Sequence, residues 1–95
     1  MVYVDDYRAF WRGMLMSHMM ADSEAELLAM AESCGLAGRH IQRHPLHPPH
    51  FDVCERIALE VVSRGGRRVS CRELVRHFST VPRPAAPAQE ASSHA

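Results

Sequence analysis

Lysine and asparagine are missing from this 95-residue chain, and every one of its basic side chains is arginine. Without a lysine there is no P-loop, no Schiff base and no lysine nucleophile. Alanine and arginine enrichment without lysine or asparagine also fits the codon bias of a GC-rich genome. Cysteine is scarce: Cys34, Cys54 and Cys71 are odd in number and widely spaced. That is unlike a disulfide framework or a Cys-x-x-Cys metal knuckle, and it points to reduced thiols in a cytoplasmic protein. No apolar run approaches the roughly 18 residues that span a bilayer, and no basic stretch precedes one near Met1. The expectation is a protein neither secreted nor embedded in a membrane.

The length allows one hydrophobic core and excludes a two-domain enzyme. A domain of this size buries only about 60 to 65% of the surface its unfolded chain exposes, which leaves homodimerisation open as a source of further stability. The formal net charge is zero. Acids nevertheless gather in the first third, whereas Arg64, Arg67, Arg68, Arg72 and Arg76 crowd the last third. From Val81 the composition turns to Pro, Ala and Ser, so residues 81–95 are expected to form a disordered tail behind a single domain over residues 1–80.

Val2 to Val4 reads as a short strand ending on Asp5 and Asp6, and Met14 to Met19 as a second. Tyr7 to Gly13 fits either helix or loop, and Tyr3, Tyr7, Phe10 and Trp11 look too early in the chain and too close to the core to act as stacking platforms. Ser23 and Glu26 form a capping box that opens a helix over 23–34, closed by Gly35. A strand around His40 to Gln42 is expected, then an irregular loop stiffened by Pro45, Pro48 and Pro49. Asp52 and Glu55 suggest a cap for a helix over 53–64, ended by Gly65 and Gly66. Arg68 to Ser70 reads as a last strand, and Ser70 with Glu73 caps a third helix. The fold class is therefore a small single-domain α/β sheet of three to four short strands with about three helices.

The polar residues that stand out are His18, Asp22, His50 and Asp52, with Asp5 and Asp6 as additions. Two imidazoles and two carboxylates brought to one edge of the sheet suit a divalent metal or a general acid and base around a scissile phosphate. In that arrangement Arg12, Arg43 and Arg56 could hold an anionic substrate, and Gln42 joins them as a substrate-binding candidate. The plainer alternatives are that Asp52 is only a helix cap, Asp22 a turn residue and His18 a core histidine. His44, His47 and His50 are separated by prolines that prevent a helical metal tract. The arginines from 64 to 76 read either as a solvated face or as a phosphate-tracking surface.

The run Tyr3-Val4-Asp5-Asp6, the segment Ser17-His18-Met19-Met20-Ala21-Asp22, Glu26-Leu27, Gln42, His50-Phe51-Asp52 and Val69-Ser70-Cys71-Arg72-Glu73 together resemble a bacterial and phage family, domain of unknown function 4031. The resemblance spans roughly residues 1–77. It implies which residues matter without naming a reaction. Three readings remain: a metal- or acid/base-assisted hydrolase of a nucleotide, nucleic acid or other phosphate ester; a module that binds such a ligand without turnover; and a protein-interaction domain whose polar residues are structural.

Overall fold

The computed structural model describes residues 1–80, so the expected tail over 81–95 lies outside the described residues. Strands β1 (Val2–Val4), β2 (Ala9–Trp11) and β3 (Met14–Ala21) come first, followed by helix α1 (Glu24–Ser33) and a 3₁₀ turn (Gly38–His40). Strands β4 (Gln42–His44) and β5 (His47–Cys54), helix α2 (Glu55–Ser63), the two-residue strand β6 (Arg67–Arg68) and helix α3 (Cys71–Thr80) complete the order. One mixed sheet runs β4-β5-β3-β1-β6, with β2 paired to β3 beside β1.

The expectation of three to four strands is corrected to six among the described residues, for two local reasons. The first is the β2–β3 hairpin. Trp11 faces Met14 in register, so Arg12 and Gly13 alone make the turn, and both have positive φ, 50° and 79°. That is the primed hairpin turn whose twist matches paired strands. The second is the segment expected to be an irregular loop, which instead forms the β4–β5 hairpin. Pairing of β5 with β3 runs from Cys54 back to Phe51 and stops before the prolines, and the β4 register shifts between Gln42 and His44. Pro48 and Pro49 thus occupy an interrupted stretch of ladder, where a missing N–H costs little. The strand expected at His40 begins only at Gln42, because Gly38–His40 turns as 3₁₀ helix.

The helices largely follow their punctuation. Ser23 caps α1, its Oγ accepting from the Glu26 N–H, and Ser70 and Glu73 satisfy one another's backbone N–H groups at the start of α3. Both α1 and α2 end in the paired 6→1 and 5→2 bonds of a Schellman motif. Leu36 N–H reaches the Ala31 carbonyl and Gly35 N–H that of Glu32, while Gly66 reaches Val61 and Gly65 reaches Val62. Asp52 is the exception. Strand β5 continues to Cys54, which is the N-cap of α2 and makes no side-chain capping bond, so Asp52 is a strand residue and not a cap.

Alternation along the strands gives the sheet two different faces. Val2, Val4, Met19, Phe51 and Val53 pack under Leu27 and Ala31 of α1 and Ile57, Ala58 and Val61 of α2, forming the core. On the other face Tyr3 meets Phe78 of α3 edge-on, ring centroids 6.2 Å apart. The same face carries His18, His50 and Asp52.

Candidate metal centre

Register alone assembles the site. Val4 faces Met19, and the Asp5 N–H continues that ladder by bonding to the His18 carbonyl, while on the opposite edge of β3 His18 faces Asp52. Asp5, His18 and Asp52 therefore form a row across β1, β3 and β5. His50 lies two residues before Asp52 on the same strand, so the period of two puts it on the same face.

Each imidazole is held from behind. His18 Nδ1 is 2.7 Å from Asp5 Oδ2, and Asp5 Oδ1 accepts from the His18 and Tyr7 backbone N–H groups at 2.9 and 3.2 Å. Asp5 is fully buried. Burial disfavours its charge, but the hydrogen bonds from His18 and Tyr7 outweigh that and hold its carboxyl below the ordinary value. The same bond raises His18, against the opposing effect of its own burial. His50 Nδ1 lies 3.3 Å from the Pro48 carbonyl. With Nδ1–H donated backward in both rings, the Nε2 lone pairs are left to face forward.

They face the same carboxylate. His18 Nε2 is 4.0 Å and His50 Nε2 3.6 Å from Asp52 Oδ1, the two rings meet at 78° with centroids 5.5 Å apart, and the three donor atoms all lie within 4.8 Å of one another. Tetrahedral ligands about 2.1 Å from an ion sit roughly 3.4 Å apart, so a modest side-chain adjustment closes this set around a metal.

Two cavities flank the group. One of about 680 Å³ is lined by His18, Asp52 and Gln42 together with Tyr7, Phe10 and Trp11 of the β2 hairpin and the segment before it. The other, about 370 Å³, lies toward α3 and takes in Asp5, His50, Cys71 and Phe78. Burial and the nearby Asp5 and Asp6 push the Cys71 thiol up, which disfavours the thiolate a nucleophile needs.

The remaining candidates are placed elsewhere. Asp22 lies beyond the far end of β3, four residues or about 13 Å along the strand from His18. Its carboxylate receives His77 Nε2 at 2.7 Å and the Tyr3 hydroxyl at 3.2 Å, so it ties α3 to the sheet. Arg43 forms a two-pronged pair with Glu24, and Arg56 is an exposed partner of Glu60. Arg12 stacks over Trp11, 4.5 Å from its ring. Among the arginines of the last third, Arg64 bonds to Glu60 and Arg68 to Glu55. The expected convergence thus occurs on the sheet face between β3 and β5, with Asp5 in place of Asp22.

Sequence reasoning passed over the aromatic hairpin. Phe10 and Trp11 are 77% and 53% exposed, not near the core, and Gly13 between apolar residues was only a weak signal for a hairpin, because Arg12-Gly13 is not a usual hairpin pair. Three further properties fit the earlier expectations. The three cysteines are free thiols, no described helix is long and apolar enough to cross a membrane, and three helices accompany a mixed sheet.

Neither the curated proteins nor the solved structures contain a significant match to this chain. The family model described as protein of unknown function (DUF4031) matches residues 2–81, most of the chain, and the protein belongs to that family.

Proposed function

We propose that His18, His50 and Asp52 bind a divalent metal ion, and that the protein is a small cytoplasmic metal-assisted hydrolase of a phosphate ester, the ester being a nucleotide or part of a nucleic acid. The observation that carries this reading is the convergence of three donor atoms within 4.8 Å, with both imidazoles tied back through Nδ1. Two imidazoles and one carboxylate suit zinc and neighbouring transition metals better than magnesium or calcium. A metal with three protein ligands keeps a position for water and lowers that water's pKa toward about 7.

The protein's own groups supply orientation. Asp5 fixes the His18 ring and its tautomer, the Pro48 carbonyl fixes His50, and Gln42 stands on the wall of the adjoining cavity. The raised His18 pKa favours a second reading, in which His18 and Asp52 act as acid and base without a metal.

Calorimetric titration with Zn²⁺, Mn²⁺ and Mg²⁺, with hydrolysis of bis(p-nitrophenyl) phosphate followed in parallel, separates the two. Saturable one-to-one binding that is lost in His18→Ala and His50→Ala, with metal-dependent turnover, is the expected result. Turnover that persists in chelator would overturn the metal reading in favour of acid and base catalysis. Metal-free and metal-loaded protein alike without turnover on this and natural phosphate esters would leave a binding module and overturn the hydrolase.

A further inference from the structure

We infer that the cavity beside the metal ligands receives a nucleobase, stacked on the aromatic side chains of the β2 hairpin, so that the phosphate ester it handles is base-bearing. This rests on the hydrolase reading for its phosphate and adds the place where the base of that ester is held. Exposed aromatic residues are costly on a small domain unless something covers them, and here three of them border a single cavity. Tyr7, Phe10 and Trp11 line the cavity that also holds His18, Asp52 and Gln42. The platform is preorganised. Arg12 and Gly13 set a tight two-residue turn, the Arg12 guanidinium lies against Trp11, and the Tyr7 ring lies against His18 at 5.0 Å and 33°.

The remaining lining suits a planar heterocycle with polar edges. Gln42 and His40 offer donors and acceptors. A volume of about 680 Å³ falls within the range of small-molecule sites and leaves room for one nucleotide. A base on the aromatic wall would bring its phosphate toward His18 and Asp52, which border the same cavity. Stacking of bases on aromatic side chains tolerates any base, so the hairpin selects the class of ligand and not its identity. The base could belong to a free mononucleotide or to an unpaired strand, and the chemistry of capture is the same.

Trp11 is the sole tryptophan, so its fluorescence reports directly on the wall. The Zn²⁺-loaded protein is titrated with adenosine 5′-monophosphate, a deoxyadenosine decamer and ribose 5-phosphate. Saturable quenching by the mononucleotide or the decamer, with ribose 5-phosphate silent and unable to compete, is the expected result, and the tighter of the two identifies the source of the base. Phe10→Ala should weaken that binding about ten-fold, whereas Leu59→Ala, an exposed change on α2, should leave it as it is. Equal competition by ribose 5-phosphate, or no quenching by either base-bearing ligand, would overturn the inference. Failure of the hydrolase reading looks different: base-dependent quenching would remain in the Zn²⁺-loaded protein while neither the mononucleotide nor the decamer is hydrolysed.

Discussion

Asp5 Oδ2 lies 2.7 Å from His18 Nδ1, and the carboxylate that makes this contact is fully buried. A buried charge is stable only with partners, and Asp5 has them in the His18 ring and the two backbone N–H groups of His18 and Tyr7. Its effect is to orient the ring, and in the proposed metal site it would strengthen Nε2 as a ligand. Asp5→Asn keeps an acceptor but removes the charge, so metal affinity should fall about 10- to 100-fold. The His18 pKa, followed by NMR in the metal-free protein, should move down toward its ordinary 6.5. An unchanged affinity would mean that Asp5 serves only the backbone turn.

The same pair sets opposite pH dependences in the metal-free protein. His18 binds its proton more tightly folded than unfolded, so its contribution is complete below about 6.5 and is lost as pH rises through the raised folded value. Asp5 is depressed, so its contribution is present above about 3.8 and is lost as pH falls through the lower folded value. Melting temperatures in chelator should therefore decline on the alkaline side of His18, and His18→Gln should flatten that limb. With Zn²⁺ present the limb should reverse, because only neutral imidazole binds the ion.

Much of this site was legible before the fold was known, and the reasons it was incomplete are specific. His50-x-Asp52 reveals a shared face once the segment is read as a strand, but the nearby prolines and the Asp52/Glu55 spacing both argued against one. The prolines fit because they fall where the ladder is interrupted. The sequence puts Asp22 among the four leading residues and Asp5 only as an addition to them, because nothing in it shows which carboxylate lies beside His18. Only the antiparallel register of β1 on β3 decides between them, as it brings Asp5 beside His18 and leaves Asp22 beyond the strand's far end. The capping boxes at Ser23 and Ser70 and the Schellman ends were legible because they are contained within a few consecutive residues. Strand count was not, because it depended on a hairpin turn without the commoner Asn-Gly or Asp-Gly pair and on a second hairpin built through the proline-containing segment.

Asp52 and Asp22 should separate cleanly by substitution. Asp52→Asn removes a proposed ligand that is 46% exposed, so metal binding should be lost at little cost in stability. Asp22→Asn leaves the three donor atoms untouched and weakens exposed contacts to His77 and Tyr3, so metal affinity should hold and stability should fall by at most about 1 kcal/mol. Calorimetry and urea unfolding on both variants check the pattern. A loss of metal binding in Asp22→Asn would contradict the placement of the site.

Arg68 carries the turn behind the site. Its Nη1 donates to the Asp5 carbonyl and its Nη2 to Glu55 Oε2, both at 3.0 Å, which ties the end of β1 to the start of α2. A lysine keeps the charge but cannot make both bonds in that planar, forked geometry. Arg68→Lys should therefore destabilise the protein by about 1 to 3 kcal/mol. It should also speed amide exchange at Tyr7 and His18, whose N–H groups depend on where Asp5 sits. Exchange unaltered there would show that β1 pairing alone holds the turn.

Gly65 and Gly66 follow α2 in sequence, yet they should respond differently to alanine. Gly65 has φ +100° with nothing near its missing Cβ, so Gly65→Ala meets only backbone strain, about 1 kcal/mol. A Cβ on Gly66 would come within 2.5 Å of Val61 Cγ1 and 2.9 Å of the Val61 carbonyl oxygen, which accepts the Gly66 N–H. Val61 is fully buried and cannot retreat without disturbing the core under β1. Gly66→Ala should therefore cost more than Gly65→Ala, about 1 to 3 kcal/mol by urea unfolding. A reversed order would mean that left-handed strain at the helix end, and not close packing of β6 on α2, governs this junction.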